Sequence, residues 1–455
     1  MPGMASWEGL YKLEYLALYE EGYPVGEKPK ADMHGVYIPF PGDSDGKASV
    51  HTAEEWEKVY RELWKIRRMG LRKDYPFVEP TDYVDIILQG DLAPELVPLT
   101  DEEYYDRLSG AWHGRCAAIT LGKPLERGMS KEDIKKYLSE VDAYPLRDWV
   151  PHREDILGDG CRDCCKGGIR YVPPDDDVHY TIQALMLAER YGLAYTKEDW
   201  LKNLIATVPY TALWSCTKQS YYHYINLDEN RPLKEQIDEF PYKLNPMREG
   251  INPVIRVDFW GYISPADIRR ASMLAYKDAS VNAAKNGVYA SMFIAACLSA
   301  ALSKNPTVET ILQAGKSVIP KRSRLARAVS DVEEWYREAR DWEAVCDKIY
   351  EKYGHLPFAG GINNMAINVL ALLHGGLDYE KTVTTAVMCG MDTDCNAGTT
   401  GSIVGAAIGF EKLDKKWVAP FNNRVKTLVA GFGEGRITDV VDRIYKVYQK
   451  TKNTL

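Results

Sequence analysis

The sequence lacks an apolar run long enough to cross a lipid bilayer. Its most apolar stretch, residues 288–302, is shorter than the roughly 20 residues that a spanning helix needs, and we interpret it as a buried core helix. We expect no export signal either, because Glu8, Lys12 and Glu14 interrupt residues 1–15, where such a signal needs an unbroken apolar segment. We therefore predict a cytoplasmic protein with no membrane partner.

The sequence also has fewer basic than acidic residues. The 455 residues include 57 lysines and arginines against 65 aspartates and glutamates, which gives a formal net charge of −8. An acidic chain has no overall attraction for nucleic acids, so we predict no nucleic-acid partner.

The nine cysteines are an odd number in a long chain, which argues against a disulfide framework and favours reduced thiols. The oligomeric state stays open.

Strand alternation is scarce, with residues 254–262 as the best candidate, whereas helical periodicity is frequent. Capping boxes predict helix starts at Thr100, with Glu103, and at Ser330, with Glu333. The sequence predicts helices at residues 100–122, 179–191, 266–280, 286–303, 330–352, 361–374, 378–389 and 398–409. We therefore predict an all-α fold, a compact bundle of many helices.

Residues 1–98 differ from the rest of the chain. Prolines and glycines punctuate them, a short helical segment is readable at residues 53–69, and a stretch with two prolines at residues 91–98 forms a natural boundary. We predict an N-terminal accessory segment, residues 1–98, that covers a surface of a helical main domain, residues 99–455.

Two acidic clusters are the most informative features of the main domain. In residues 173–181 (PPDDDVHYT), three adjacent aspartates follow two prolines and open a helix. In residues 389–396 (CGMDTDCN), Asp392 and Asp394 lie in a loop before a glycine-rich helix. Adjacent carboxylates repel one another unless a cation or protons neutralise them, and oxygen ligands suit Mg²⁺, Mn²⁺ and Ca²⁺. The pair of clusters favours a metal site over two solvated helix starts.

Other candidate residues have a structural interpretation beside the functional one. The aromatic rings of Trp260 and Tyr289 favour core packing over stacking on a base. Residues 161–165 (CRDCC) resemble half of a zinc site, but no second pair follows at finger spacing, so a reduced loop is favoured. We interpret the basic residues within 316–327 as part of a solvated face rather than as phosphate contacts. We do not expect His179 to be a metal ligand.

Three segments, in this order, resemble the ADP-ribosylglycohydrolase family over roughly residues 100–410. The first family segment, a small-residue helix that ends in Gly-x-Pro-x-Glu, matches residues 110–126. The second, Thr-Asp-Asp-Thr, aligns with residues 175–178, and the third, Gly-x-Asp-Thr-Asp-Thr, aligns with residues 390–395. In addition, residues 255–262 and 276–280 resemble a large bacterial branch of the family.

The resemblance implies an orthogonal helical bundle that hydrolyses the ribosyl bond of an ADP-ribosylated protein or of a ribosyl or ADP-ribosyl small molecule. It implies one or two Mg²⁺ ions, with Mn²⁺ or Ca²⁺ as substitutes. The implied ligands are Asp175, Asp176, Asp177, Asp392, Asp394 and Glu126. Either Glu126 or Asp177 would accept the proton of the attacking water. Asp258 is expected to contact the substrate, with a buried packing role as the alternative.

Several positions depart from the family pattern. Asp175 stands where the family often has a threonine, Val178 and Cys395 replace threonines, and Ile119 stands where many members have an aspartate. Cysteine is a poor ligand for a hard cation, so the sequence leaves open whether one ion or two are bound. Two further function classes stay open: a non-catalytic binding or structural member of the fold, and an aspartate-rich, Mg²⁺-dependent enzyme of the isoprenoid type.

Overall fold

The protein is described by a computed structural model that covers residues 3, 5–43, 50–126 and 128–454. The described residues do not include residues 1, 2, 4 and 44–49 of the predicted accessory segment or residues 127 and 455 of the predicted main domain. Within the described ranges, two short antiparallel hairpins are the only sheets and the rest is helix and loop. The all-α prediction is confirmed. No helix in these ranges is long and apolar enough to cross a membrane.

The N-terminal segment has its own small hydrophobic cluster. Its elements are α1 (Trp7–Glu20), β1 (Lys30–Asp32), β2 (Gly35–Tyr37), α2 (Ala53–Lys65), a 3-10 turn (Ile66–Met69) and α3 (Tyr83–Ile87). Side chains of α1 and α2, among them Leu10 and Trp56, pack against one another. Met33, in the hairpin, and Ile86 instead belong to the core of the main domain, so the segment lies against that domain.

Within the described residues, the main domain contains eighteen α-helices, of which α13 is buried along its whole length. They are α4 (Asp101–Gly122), α5 (Lys131–Glu140), α6 (Glu154–Leu157), α7 (Asp176–Tyr191), α8 (Lys197–Thr207), α9 (Ser215–Ile225), α10 (Leu233–Glu239), α11 (Asp258–Tyr262), α12 (Ile268–Ala279), α13 (Asn286–Ala301), α14 (Val308–Lys316), α15 (Arg324–Ala339), α16 (Trp342–Tyr353), α17 (Gly361–Gly375), α18 (Tyr379–Met388), α19 (Thr393–Ile408), α20 (Lys415–Val418) and α21 (Ile437–Thr451).

The remaining elements of the main domain are short. Five 3-10 turns cover Lys123–Leu125, Asp159–Cys164, Tyr210–Ala212, Val254–Arg256 and Ala419–Phe421, and one hairpin joins β3 (Arg424–Lys426) to β4 (Glu434–Arg436). Every residue of α13 is buried, as predicted for the most apolar stretch of the chain.

Helices α4 and α19 pack against one another and position one side of the candidate site. Their glycines face one another: a Cβ on Gly110 would lie 2.4 Å from the carbonyl oxygen of Gly405, and one on Gly114 would lie 2.6 Å from that of Gly401. Side chains at these positions would keep the backbones apart, so the small-residue pattern allows the two helices to pack antiparallel in direct contact.

One strand candidate and two helix boundaries are wrong. Residues 254–262, the best candidate for a strand, form a 3-10 turn and the helix α11, because a short, fully buried run does not distinguish strand from helix. Residues 330–352 form two helices that are separated at Arg340, whose φ of 53° is left-handed. The first of these begins after the cap Ser323, whereas Ser330 lies inside it and donates its hydroxyl to the carbonyl of Ala326.

The second wrong helix boundary concerns the glycine-rich helix. The sequence predicts its start at residue 398, but α19 begins at Thr393. Asp394 therefore lies in the first helical turn and Asp392 at the N-cap position, rather than both in a loop. The backbone N–H groups of this turn favour negative charge, which is consistent with two carboxylates at the helix start.

Candidate active site

The two acidic motifs lie next to one another in the structure. Ligand atoms of three groups come within 4.8 Å of one another: Asp175, Asp176 and Asp177; Glu126, Asp392 and Asp394; and Asp177, Asp394 and Cys395. Asp177 and Asp394 each belong to two of these groups. The structure thus brings together all six carboxylates that the sequence predicts as metal ligands.

The first motif is fixed by the start of α7. Pro173 and Pro174 precede Asp175, whose extended backbone places it at the N-cap. The Oδ1 atom of Asp175 accepts a hydrogen bond from the backbone N–H of Asp177, at 3.0 Å. Asp177 then lies on the buried side of the first turn, whereas Asp176 is only half-buried. The three carboxylates thus differ in exposure, although one ligand atom of each lies within 4.8 Å of the others.

The second motif follows a tight turn between α18 and α19. Gly390 and Met391 both have left-handed backbone angles, with φ of 74° and 61°. Such a conformation is unusual for methionine and is kept here by packing, because the Met391 side chain is fully buried and its sulfur accepts from the Asn363 amide. The turn directs Asp392 and Asp394 toward the start of α7.

Glu126 and Lys123 come from the end of α4. The 3-10 turn Lys123–Leu125 continues this helix, with Pro124 inside the turn, and Glu126 follows directly. The ammonium of Lys123 forms an ion pair with the Oδ2 atom of Asp175. Helix α4 therefore contributes one carboxylate and one cation to the cluster.

Arg115 supplies a second cation from the buried face of α4. Its Nη2 atom donates to the Oδ1 atom of Asp177 at 3.0 Å, and its Nη1 atom lies 3.0 Å from the Oδ2 atom of Asp258. All three side chains are fully buried. The other oxygen of Asp177, Oδ2, accepts from the thiol of Cys395, at 3.2 Å. Both oxygens of Asp177 are thus engaged by protein groups.

The local charges shift several pKa values. Repulsion from Asp394, burial and repulsion from Asp392 raise the pKa of Glu126 to about 11. Burial, and then the neighbouring carboxylates, raise the pKa of Asp392 and Asp394 above the usual range. Burial would also raise the pKa of Asp175, but the Lys123 ammonium outweighs it and lowers that pKa. The cluster therefore has more negative charge than Lys123 and Arg115 neutralise.

The residues of the cluster fit a divalent cation. Asp392 is 4% exposed, and its Oδ1 atom has no hydrogen-bond partner among the described residues. Its backbone N–H is held by the side chain of Asn364 at 3.3 Å, which fixes the direction of the carboxylate. A buried carboxylate oxygen without a partner is costly unless a cation or proton meets it. Oxygen donors of this kind match Mg²⁺ or Mn²⁺.

Other predicted candidates lie apart from the three groups. Asp258 is fully buried and forms an ion pair with Arg115. Its contact with substrate stays a prediction. The Nε2 atom of His179 accepts from the backbone N–H of Leu428, and burial lowers the pKa of His179 to about 4. Trp260 is buried and donates to Asp278, in agreement with core packing.

The remaining interpretations concern structural roles. The hydroxyl of the buried Tyr289 donates to the carbonyl of Pro80. No disulfide joins any of the nine cysteines, all of which lie in described parts of the chain. Four of the five basic residues of 316–327 form ion pairs, and Arg322 donates to the carbonyl of Pro76. The pairs are Lys316 with Glu333, Lys321 with Asp91, Arg324 with Glu79 and Glu249, and Arg327 with Asp331.

Sequence reasoning missed three residues that contact the cluster. They are Arg115, Lys123 and Asn364. A signal is present for Arg115, because a charged residue within a helix of small and apolar residues needs a buried partner of opposite charge. Asn364 lies on α17, far along the chain from both motifs, and no local pattern connects it with Asp392.

Comparisons with known proteins identify one family. A family model described as ADP-ribosylglycohydrolase matches residues 100–454. A solved structure titled "ADP-ribosylglycohydrolase-related protein complex" aligns with 76% of this chain and 99% of that chain, at 15% sequence identity and a TM-score of 0.43. No curated protein matches the sequence significantly.

Proposed function

Because the chain belongs to the ADP-ribosylglycohydrolase family, we propose that it hydrolyses the ribosyl bond of ADP-ribosylated or related ribosyl N- or O-glycoside substrates with the help of Mg²⁺. The resemblance predicted from the three motifs is confirmed by the family match, and a glycohydrolase is the activity of this family type. The observation that carries the metal dependence is the unpartnered, buried Oδ1 atom of Asp392 beside Glu126 and Asp394.

Three carboxylates are suited to hold the cation. Glu126, Asp392 and Asp394 have ligand atoms within 4.8 Å of one another, and the half-buried Asp176, which belongs to the first motif, contributes to the raised pKa of Glu126. When bound, Mg²⁺ would supply the positive charge that orients ribose hydroxyls and water in such a site. Asp175 and Asp177 have protein partners on both oxygens, so their proposed role is to keep the motif in place.

We assign proton acceptance to Glu126 rather than to Asp177. Glu126 is half-buried, so its carboxylate is within reach of solvent, whereas Asp177 is fully buried and already engaged by Arg115 and Cys395. Hydrolysis of a ribosyl bond passes through an oxocarbenium-like transition state, and a carboxylate that takes the proton of the attacking water assists it. Repulsion from Asp394 raises the pKa of Glu126, and a divalent cation would relieve this repulsion.

Asp258 has a proposed role through Arg115. Its carboxylate lies 3.0 Å from one end of the guanidinium, whose other end holds Asp177. Since Asp258 is fully buried, this position favours orientation of Arg115 over direct contact with substrate. Asp258 is therefore treated as a positioning residue.

The experiment measures release of ADP-ribose or ribose from a panel of N- and O-linked ADP-ribosyl and ribosyl compounds, with Mg²⁺ and with a chelator. We expect turnover that requires the metal and that falls by about 10²–10⁴-fold in Glu126→Gln. Glu132→Gln, on the exposed surface of α5, is the matched control and is expected to keep full activity. Turnover that survives both chelation and Glu126→Gln would refute the proposal, and no turnover on any compound would favour a non-catalytic member of the fold.

A further inference from the structure

Lys123 lies where the end of α4 meets both acidic motifs. Its ammonium pairs with Asp175, and its side chain is 27% exposed. A permanent positive charge is therefore placed between the start of α7 and the start of α19.

We propose that the Lys123 ammonium takes the place of a second metal ion, so that this protein binds a single divalent cation, at Glu126, Asp392 and Asp394. The proposal rests on the proposed function, because it assumes that a divalent cation binds this cluster. According to this proposal, Lys123 determines how many ions the protein binds. The sequence motifs leave open whether this number is one or two.

The partners of the first motif support this division of the cluster. Asp175 has one oxygen on the backbone N–H of Asp177 and the other on Lys123. Asp177 has one oxygen on Arg115 and the other on the Cys395 thiol. A metal ion at these two residues would have to displace an ammonium or a guanidinium ion pair. The buried pair with Arg115 is the costlier one to open, because it would leave a charge without a partner in the interior.

The partners of the second motif leave room for an ion. The Oδ1 atom of Asp394 accepts from the backbone N–H of Cys395 at 2.8 Å, and no protein cation forms an ion pair with Asp392, Asp394 or Glu126 among the described residues. In the described part of the chain, the Oδ1 atom of Asp392 has no hydrogen-bond partner, and it is buried with the rest of that side chain. Negative charge without a matching cation is therefore concentrated at this group, and an ion that binds here disturbs no existing pair.

The experiment counts Mn²⁺ ions bound to the intact chain by electron paramagnetic resonance titration, and it needs no substrate. The wild-type protein is expected to bind one ion. Lys123→Met removes the charge at similar length and is expected to bind two, whereas Lys123→Arg keeps the charge and is expected to bind one. Lys131→Met removes a lysine that pairs with Glu132 and Asp347 on the surface, and this control is expected to bind one ion.

Anomalous diffraction from Mn²⁺-soaked wild-type crystals gives a second measurement in case Lys123→Met does not fold. A single peak beside Glu126, Asp392 and Asp394 is expected. Two ions in the wild-type protein, a peak beside Asp175, or one ion in folded Lys123→Met would overturn the proposal and leave the proposed hydrolase intact. Absence of any ion from a wild-type protein that still hydrolyses substrate would instead refute the metal dependence itself.

Discussion

Gly122 lies directly against the backbone of Asp394. A Cβ on Gly122 would come within 2.6 Å of the N and Cα atoms of Asp394 and within 2.4 Å of the carbonyl oxygen of Thr393. The hydroxyl of Thr393 in turn donates to the carbonyl of Gly122 at 2.9 Å. The end of α4 and the start of α19 are thus in contact through backbone atoms, and this contact sets the position of Glu126 relative to the second acidic motif.

Gly122→Ala is expected to separate the two helix ends. Because the added methyl group meets backbone rather than a flexible side chain, we expect a loss of about 1–3 kcal/mol of stability, and a loss of Mn²⁺ affinity of at least tenfold. Chemical denaturation and a Mn²⁺ titration measure the two effects. Gly9→Ala, in α1, is the control: its Cβ would have ordinary contacts of 3.4 and 3.5 Å, so unchanged or slightly increased stability is expected. Equal behaviour of the two variants would contradict the close approach.

Arg115→Met is expected to destabilise the protein severely. The substitution leaves Asp177 and Asp258 buried without their shared cation, and breaking a buried pair in this way costs about 3–5 kcal/mol. Arg107→Met is the control on the same helix, because Arg107 is half-buried and makes one long hydrogen bond, to the carbonyl of Ala406 at 3.4 Å. Denaturant unfolding compares the two.

A second substitution separates loss of charge balance from loss of packing. If the cost of Arg115→Met arises from unpaired carboxylates, adding Asp258→Asn to it should destabilise less than the sum of the two single changes. Strict additivity would indicate that Arg115 contributes only through packing.

Arg248 is expected to hold the N-terminal segment on the main domain. This fully buried side chain donates to Glu14 at 2.8 Å and pairs with Glu21, which also accepts from Lys285 at 3.0 Å. Arg248→Met would leave the two glutamates short of positive charge, so hydrogen exchange in α1 should increase more than in α13. We propose on this basis that residues 1–98 form an accessory segment. Unchanged exchange in α1 would contradict that role for Arg248.

Much of the main domain could be predicted from sequence because its signals are local. The capping box at Thr100 and the small-residue spacing of α4 identify a helix and its packing face, and both are found in the structure. The two acidic motifs could be singled out because repulsion between adjacent carboxylates depends only on the sequence. The helix start at Thr393 was missed, since Asp392 caps it without a side-chain hydrogen bond of the usual kind.

The cations of the cluster could not be predicted in the same way. Whether Lys123 is a surface lysine or a partner of Asp175 depends on how the end of α4 lies relative to α7, and these elements are about fifty residues apart in the chain. Arg115 likewise depends on α7 and α11 together. Long-range contacts therefore decide which predicted ligands keep free oxygens, and the roles of the individual aspartates stay predictions until ion binding is measured.

His113 is expected to make the stability of the protein depend on pH. His113 lies on α4, where its Nδ1 atom forms a hydrogen bond with the carbonyl of Ser109 at 2.9 Å and its ring contacts Phe410. Burial lowers the pKa of His113 from 6.5 to about 4. Between pH 6.5 and 4 the unfolded chain binds a proton at His113 that the folded protein does not, so acidification destabilises the fold. At pH 5 this amounts to about 2 kcal/mol relative to pH 8.

His113→Gln tests this dependence, because glutamine does not titrate. The variant loses packing at all pH values, but its stability deficit relative to wild type should shrink by about 2 kcal/mol between pH 8 and pH 5, measured by urea unfolding. Repeating the series at high salt is the control: the shift arises from burial rather than from surface charges, so salt should leave it unchanged. A deficit that stays constant with pH would show that the folded protein binds the proton at His113 as readily as the unfolded chain.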